Sequence, residues 1–236
     1  MSKAIRKAIL ALALGAGLGA FALLAFFPVL RGAVCPSCYG LEQVSPVLFV
    51  EAEMPAHARH ALLAQLDQAH RKIAQIFGPA QAHLRILACE TDACDRRLGG
   101  RGAAAVTYSL GAYSVVRLAP RGLSPTILTH ELTHTETHAR LGVLRQVGQR
   151  MPTWMDEGIA VIVSDDPRYL RAGQGVARCR KPPRADLPVS PHDWGGLAAQ
   201  DRDIYAEAAC ATLRWMAKKG GWSALWARLD AGAPLP

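Results

Sequence analysis

Five consecutive residues near the middle of the chain, His130-Glu131-Leu132-Thr133-His134, have the types and spacing of a hydrolytic metal site. Residues four apart on a helix share a face, so the two imidazoles can point at one cation. Imidazole nitrogen suits zinc, and two such ligands leave positions for a third ligand and a water. Glu131 stands beside the first histidine, where it can take a proton from that water as general base. The bland alternative is a helix carrying two surface histidines and a glutamate, so the setting of the string has to decide.

A second string, Pro152-Thr153-Trp154-Met155-Asp156-Glu157-Gly158-Ile159-Ala160, follows downstream. Pro152 or Thr153 can open a helix that Ser164, Asp165 and Asp166 close, which puts Glu157 in its second turn. A carboxylate there reaches a metal on the preceding helix if the two helices pack closely, and Gly158 has no side chain to obstruct such an approach. Two histidines and a glutamate with an open fourth position make a catalytic zinc set, not a closed structural one.

Together the two strings resemble the gluzincin branch of the zinc metallopeptidases, and the P-x-W-x-x-E-G-x-A form resembles the peptidase MA-like group, over roughly Ser124 to Asp166. That resemblance implies a single zinc ion held by His130, His134 and Glu157, with Glu131 as general base for peptide-bond hydrolysis. It also implies a downstream Tyr or His that donates to the tetrahedral intermediate. Tyr205, His192 and Tyr169 are the candidates. Tyr205 is preferred because Tyr-Ala-Glu-Ala-Ala is similar to the tyrosine-led helix of that group; a tyrosine packed on the core is the competing reading. A metzincin would need a histidine where Arg140 stands. His138 continues the His130–His134 row and reads as an outer or surface residue. Asp156 can orient a ligand histidine through a hydrogen bond, or be a solvated helix acid.

The elements that must position these residues can also be read. Ser124 is a good N-cap, Pro125 suits the first turn and Gly142 a C-terminal stop, so the metal helix runs between them, with Ile127, Leu128, Leu132 and Ala139 facing a core. Leu62, Leu66, Ala69, Ile73 and Ile76 predict a helix over Ala56–Phe77, ended by Gly78-Pro79. Short strands are expected at Val47–Val50 and Leu84–Ala88, and a pair at Ala103–Ser109 and Tyr113–Leu118 just before the metal helix. In the proteins that the chain resembles, an edge strand in this place binds extended peptide; an internal hairpin is the alternative. Residues 167 to 200 read as mostly loop, followed by helices over Asp201–Lys219 and Trp222–Leu229. The fold class expected is α+β: a zincin-like domain with a small mixed sheet on the metal helix, a mainly helical C-terminal half, and an N-terminal transmembrane helix.

That last expectation rests on Lys3, Arg6 and Lys7 preceding an uncharged apolar stretch from Ala8 to Leu30. Twenty-odd apolar residues suffice to span a bilayer, and the basic flank predicts that residues 1–7 stay cytoplasmic. Residues 31–45 then read as a linker and 46–236 as a domain in the periplasm or exterior, at a bacterial-type inner membrane. A cleaved signal peptide is the competing reading. Six cysteines agree with an exported domain. Proximity suggests Cys89–Cys94; Cys35–Cys38 and Cys179–Cys210 are then one way to pair the rest, among the 15 connectivities that six cysteines allow. Cys-Pro-Ser-Cys looks like a redox motif but lacks the strand-then-helix setting of a thioredoxin-like site, so a structural pair is expected.

The formal net charge of +8 comes from scattered basic residues with no nucleic-acid module, so attraction to acidic surfaces is the simpler account and no nucleic acid is expected as a partner. The partners expected are a peptide or protein substrate and, through the N-terminal helix, the membrane. Two other function classes stay open: a catalytically weak, membrane-tethered zinc-binding or assembly protein of the periplasm, and a disulfide-handling protein using Cys35 and Cys38.

Overall fold

The computed structural model describes residues 3–233 and 235–236. Five strands form one mixed sheet: β1 (Leu41–Gln43), β2 (Leu48–Glu51), β3 (His83–Ala88), β4 (Ala105–Leu110) and β5 (Tyr113–Leu118), in the order β1-β2-β3-β5-β4. The β2–β3 and β3–β5 pairs are parallel; β1–β2 and β4–β5 are antiparallel. β4 is therefore an edge strand, as one of the two expectations held.

The alternation of side chains across the sheet divides the core in two. Ile86, Ala88, Val116 and Leu118 face the main core, which α3 (Ala56–Phe77) and α5 (Pro125–Leu141) cover. Leu87, Cys89 and Val115 face a smaller cluster with Val29, Ala33, Cys94 and Leu98, covered by α2 (Pro28–Val34) and α4 (Asp92–Arg97). A buried Arg117–Asp95 ion pair ties β5 to α4, and the Cys89–Cys94 disulfide ties the end of β3 to the same helix. The C-terminal half is helical, with α6 (Val143–Val147), α7 (Thr153–Ser164), α8 (Pro191–Gln200), α9 (Ile204–Lys219) and α10 (Gly221–Asp230).

α5 has the ends its sequence requires. Ser124 Oγ accepts from the Ile127 N–H at 3.3 Å, Pro125 fills the first turn, and Gly142 ends the helix with φ +73°. Leu128 and Leu132 are completely or almost completely buried, each burial stabilising by about 1.5–3 kcal/mol. Two buried threonines of α5 bond back along the helix: Thr129 donates to the Pro125 carbonyl and Thr133 to that of Thr129, both at 2.7 Å. Glu136, also buried, accepts from the backbone N–H groups of Gln81 and Ala82, so it is a structural acid.

The N-terminal region corrects the expected architecture. Among the described residues no helix is long and apolar enough to cross a membrane. The apolar run Ala8–Leu30 is not one helix: α1 (Lys3–Phe26) stops before Pro28, which opens α2 in its first turn. Val29, inside the expected span, is 1% exposed in the second core cluster. The transmembrane anchor and the single-pass inner-membrane location are accordingly withdrawn. Of the expected cytoplasmic segment 1–7, residues 1 and 2 lie outside the described residues. Residues 31–45 are not a linker either, because they include the end of α2 and strand β1, where Leu41 is buried.

All six cysteines are paired, in the connectivity named above: Cys35–Cys38, Cys89–Cys94 and Cys179–Cys210. Three disulfides suit an oxidising compartment. The helices α4, α6 and α8 were not foreseen. α8 starts at Ser190-Pro191, with Ser190 Oγ accepting from the Asp193 N–H at 3.2 Å, the same opening as Ser124-Pro125.

Candidate metal centre

α5 and α7 pack side by side, and their facing surfaces bring three ligand atoms together. His130 Nε2 and His134 Nε2 are 3.1 Å apart. Glu157 Oε2, from the second turn of α7, lies 3.3 Å from the first and 3.7 Å from the second. Donors bound tetrahedrally at about 2.0–2.1 Å would be roughly 3.3 Å apart, so the spacing fits one ion. Glu157 Oε2 is buried and has no hydrogen-bond donor, the condition of an oxygen awaiting a cation. The described residues thus form a group that can hold a metal ion.

Behind these ligands Asp156 Oδ2 lies 2.9 Å from His134 Nδ1 and 2.9 Å from His138 Nε2. A hydrogen bond to Nδ1 leaves Nε2 of His134 with its lone pair turned to Glu157 and His130. Asp156 is thus no solvated helix acid, and His138, read as an outer or surface residue, is half-buried against it. His134, His138 and Asp156 form a second group that can hold a metal ion. It shares His134, however, and the nitrogen it would use is the one already facing Asp156.

The charges in this cluster are strongly coupled. Burial disfavours charge on all of these groups, but the partners override it. His134 is pushed well above the ordinary imidazole range by Asp156 and Glu157. Asp156 is held far below the carboxylate range by His134 and His138. Glu157 is lowered to about 2 by His130 and His134.

Glu131 projects from α5 toward the sheet. Its Oε2 accepts from the Thr107 hydroxyl of β4 at 2.7 Å. A cavity of about 820 Å³ opens over both, lined by the inward side of β4, the metal helix, Glu157 and Tyr205. His130, Glu131, His134, Glu157 and Tyr205 therefore share one cavity. Tyr205, in the first turn of α9, has its ring 6.3 Å from that of His130 and packs edge-to-face on Trp194. Burial and the Glu157 carboxylate push its phenol above the usual range, and the Trp194 indole works against them. Tyr169 stacks on the Tyr205 ring but does not line the cavity. His192 is exposed on α8 and lies outside the lining.

Gly158 has a different role from the one expected. A Cβ there would meet Thr212 Oγ1 and the Ala208 carbonyl of α9, so its bareness seats α7 on α9. The sequence reading missed Thr107 and Gln146. Gln146, on α6, pairs with the outer edge of β4: its Oε1 accepts from the Gly111 N–H at 2.7 Å, and its Nε2 donates to the Ser109 carbonyl at 2.9 Å. No residue pattern announces either contact; the helix stop at Gly142 with a new amphipathic turn after it is the only local hint of α6.

An α+β domain with a histidine–histidine–glutamate cluster between two helices, beside an open strand edge, is the class that fold and site define. No family model, no curated protein and no solved structure matches the chain.

Proposed function

We propose that the chain is a zinc-dependent peptidase of the gluzincin kind. The observation that carries this reading is the convergence of His130 Nε2, His134 Nε2 and the partnerless Glu157 Oε2 within 3.1–3.7 Å of one another, with Glu131 in the same cavity. Two imidazoles and a carboxylate are a zinc donor set with room for further ligands. Zinc held there supplies Lewis acidity, acidifying water and polarising a carbonyl oxygen.

The remaining work falls to the chain's own residues. Asp156 orients His134 through Nδ1 and keeps its Nε2 directed at the site. Glu131 takes the proton of the attacking water and returns it to the leaving amine. The Thr107 hydroxyl holds the Glu131 carboxylate on the side of the cavity where β4 presents its free edge. Tyr205 stays protonated at neutral pH, so its hydroxyl is a donor for the oxyanion that forms on the attacked carbonyl. The open edge of β4 offers backbone donors and acceptors to an extended peptide.

The test is the zinc content of the purified full chain, wild type against Glu157→Ala, followed by cleavage of a peptide library with Glu131→Gln as control. About one zinc per chain that Glu157→Ala loses, and cleavage that Glu131→Gln abolishes, are expected. Wild type that takes up no zinc, or holds zinc without cleaving any peptide, overturns the proposal.

A further inference from the structure

Strand β4 is open only over a short window. In its antiparallel ladder with β5 the residues facing outward alternate with those facing β5. The Ala119 N–H to Ala104 O bond, at 2.9 Å, assigns the even-numbered residues to β5. Ala105, Thr107 and Ser109 thus turn their N–H and C=O groups away from the sheet. Gln146 takes the Ser109 carbonyl and the Gly111 N–H at one end. At the other, the Ala103 carbonyl accepts from Arg121 at 3.0 Å and from Arg117 at 3.4 Å. What stays open runs from Ala105 to the N–H of Ser109, with Thr107 at its centre beside Glu131.

A peptide pairing with this window has its side chains placed by the pleat, because directly opposed residues share a face. The residue opposite Thr107 points its side chain toward α5 and Glu131. Its neighbours, opposite Val106 and Tyr108, point theirs to the other face of the sheet. On that face lies a second pocket of about 310 Å³, which shares the lining residues Arg101, Ala103, Val106 and Tyr108 with the large cavity. Phe26, Phe27, Pro28, Val29 and Leu98 give it one apolar wall, Arg101 and Arg117 also line it, and the Phe27 ring packs edge-to-face on Tyr108 at 6.0 Å.

We propose that this pocket is a subsite for an apolar side chain of an extended peptide, from the residue next to the one paired with Thr107. The substrate class is then an unfolded or loop segment carrying a Leu- or Phe-like residue at that position. The inference rests on the peptidase reading and adds its specificity. The wall is supplied by the segment between α1 and α2, so the N-terminal region takes part in substrate choice.

The experiment uses the zinc-loaded full chain and paired peptides that differ only by Phe or Gly at one position, scanned along the sequence. Within each variant the readout is the Phe-to-Gly ratio of kcat/KM. One position should show a ratio of about 10–100 in the wild type, the size expected for burying one such side chain. Val106→Trp, which fills the pocket, should bring that ratio close to one, and Phe27→Ala, which removes part of its wall, should lower it. The same ratio is read by fluorescence anisotropy as peptide affinity for zinc-loaded Glu131→Gln. A ratio near one at every position, or one that neither substitution moves, overturns the subsite and leaves the peptidase reading intact. Binding with the expected ratio but without cleavage by the wild type supports the subsite and overturns the peptidase reading. Neither binding nor cleavage overturns both.

Discussion

The Thr107 hydroxyl donates to Glu131 Oε2 at 2.7 Å and also lies 3.2 Å from the Glu131 carbonyl, so one strand residue clamps the helix residue at two points. The edge strand and the proposed general base are thereby a single mechanical unit. Thr107→Val keeps the shape and removes the hydroxyl. Losing a hydrogen bond to a charged group costs about 1.5–3 kcal/mol, so kcat is expected to fall about 10- to 150-fold. Zinc stoichiometry should be unchanged. Steady-state kinetics beside metal analysis checks both; unchanged kcat would separate Thr107 from the base.

Asp156 supplies no atom to the first group, yet both His134 and His138 converge on its Oδ2. Asp156→Asn is expected to weaken zinc binding by about 10–100-fold, as loss of such an orienting partner does. Competition against a chromophoric chelator measures it. Affinity equal to the wild type would show that His134 needs no orientation.

At Gly158 α7 packs tightly on α9. Its added Cβ would lie 2.6 Å from the Ala208 carbonyl oxygen and would overlap Thr212 Oγ1. Gly158→Ala is expected to destabilise the fold by about 1–3 kcal/mol and lower Tm by about 3–10 °C. Thermal unfolding checks this. An unchanged Tm would mean that the two helices separate without cost.

The α9 acid Glu207 accepts from Arg184 Nε at 2.6 Å and Nη2 at 2.8 Å, and Lys181 adds a second cation at 3.1 Å. Arg184 draws its pKa down to about 2 against the ordinary 4.5, overcoming burial. Because the folded value is the lower one, this contribution is present above pH 4.5 and is lost as pH falls through 2. The urea midpoints of wild type and Arg184→Met should differ most near neutral pH and converge toward pH 2. A gap independent of pH would contradict the linkage.

The parts of this molecule that were legible in its sequence obey short-range rules. His130 and His134 share a face because the helix period makes them do so, and Ser124, Pro125 and Gly142 mark the ends of that helix by their own backbone chemistry. The α3 boundaries and strand β5 follow from periodicity in the same way. Glu157 and Asp156 stood out by their place in a helix whose start was marked. What was not legible depends on partners distant in the chain. Thr107 meets Glu131 and Gln146 meets Gly111 only after the sheet and α6 have assembled. α8 carries the opening signal of α5, but Gly195 and Gly196 in its middle argue for loop; both face open space, so the helix tolerates them. The apolar N-terminal stretch misled for the opposite reason. Composition speaks of length and polarity; it passes over the local break that Pro28 makes after Phe27, and the burial of Val29 is a tertiary fact.

An open strand edge can also pair with the same edge of a second copy. Edge-to-edge pairing between copies needs a ladder long enough to hold, and long bare edges are the usual seeds of fibrils. The Gln146 amide, lying across Ser109 and Gly111 as a stand-in peptide bond, crops that ladder from one end. With Arg117 and Arg121 on the Ala103 carbonyl at the other end, the bare edge that remains is too short for a long ladder between two copies.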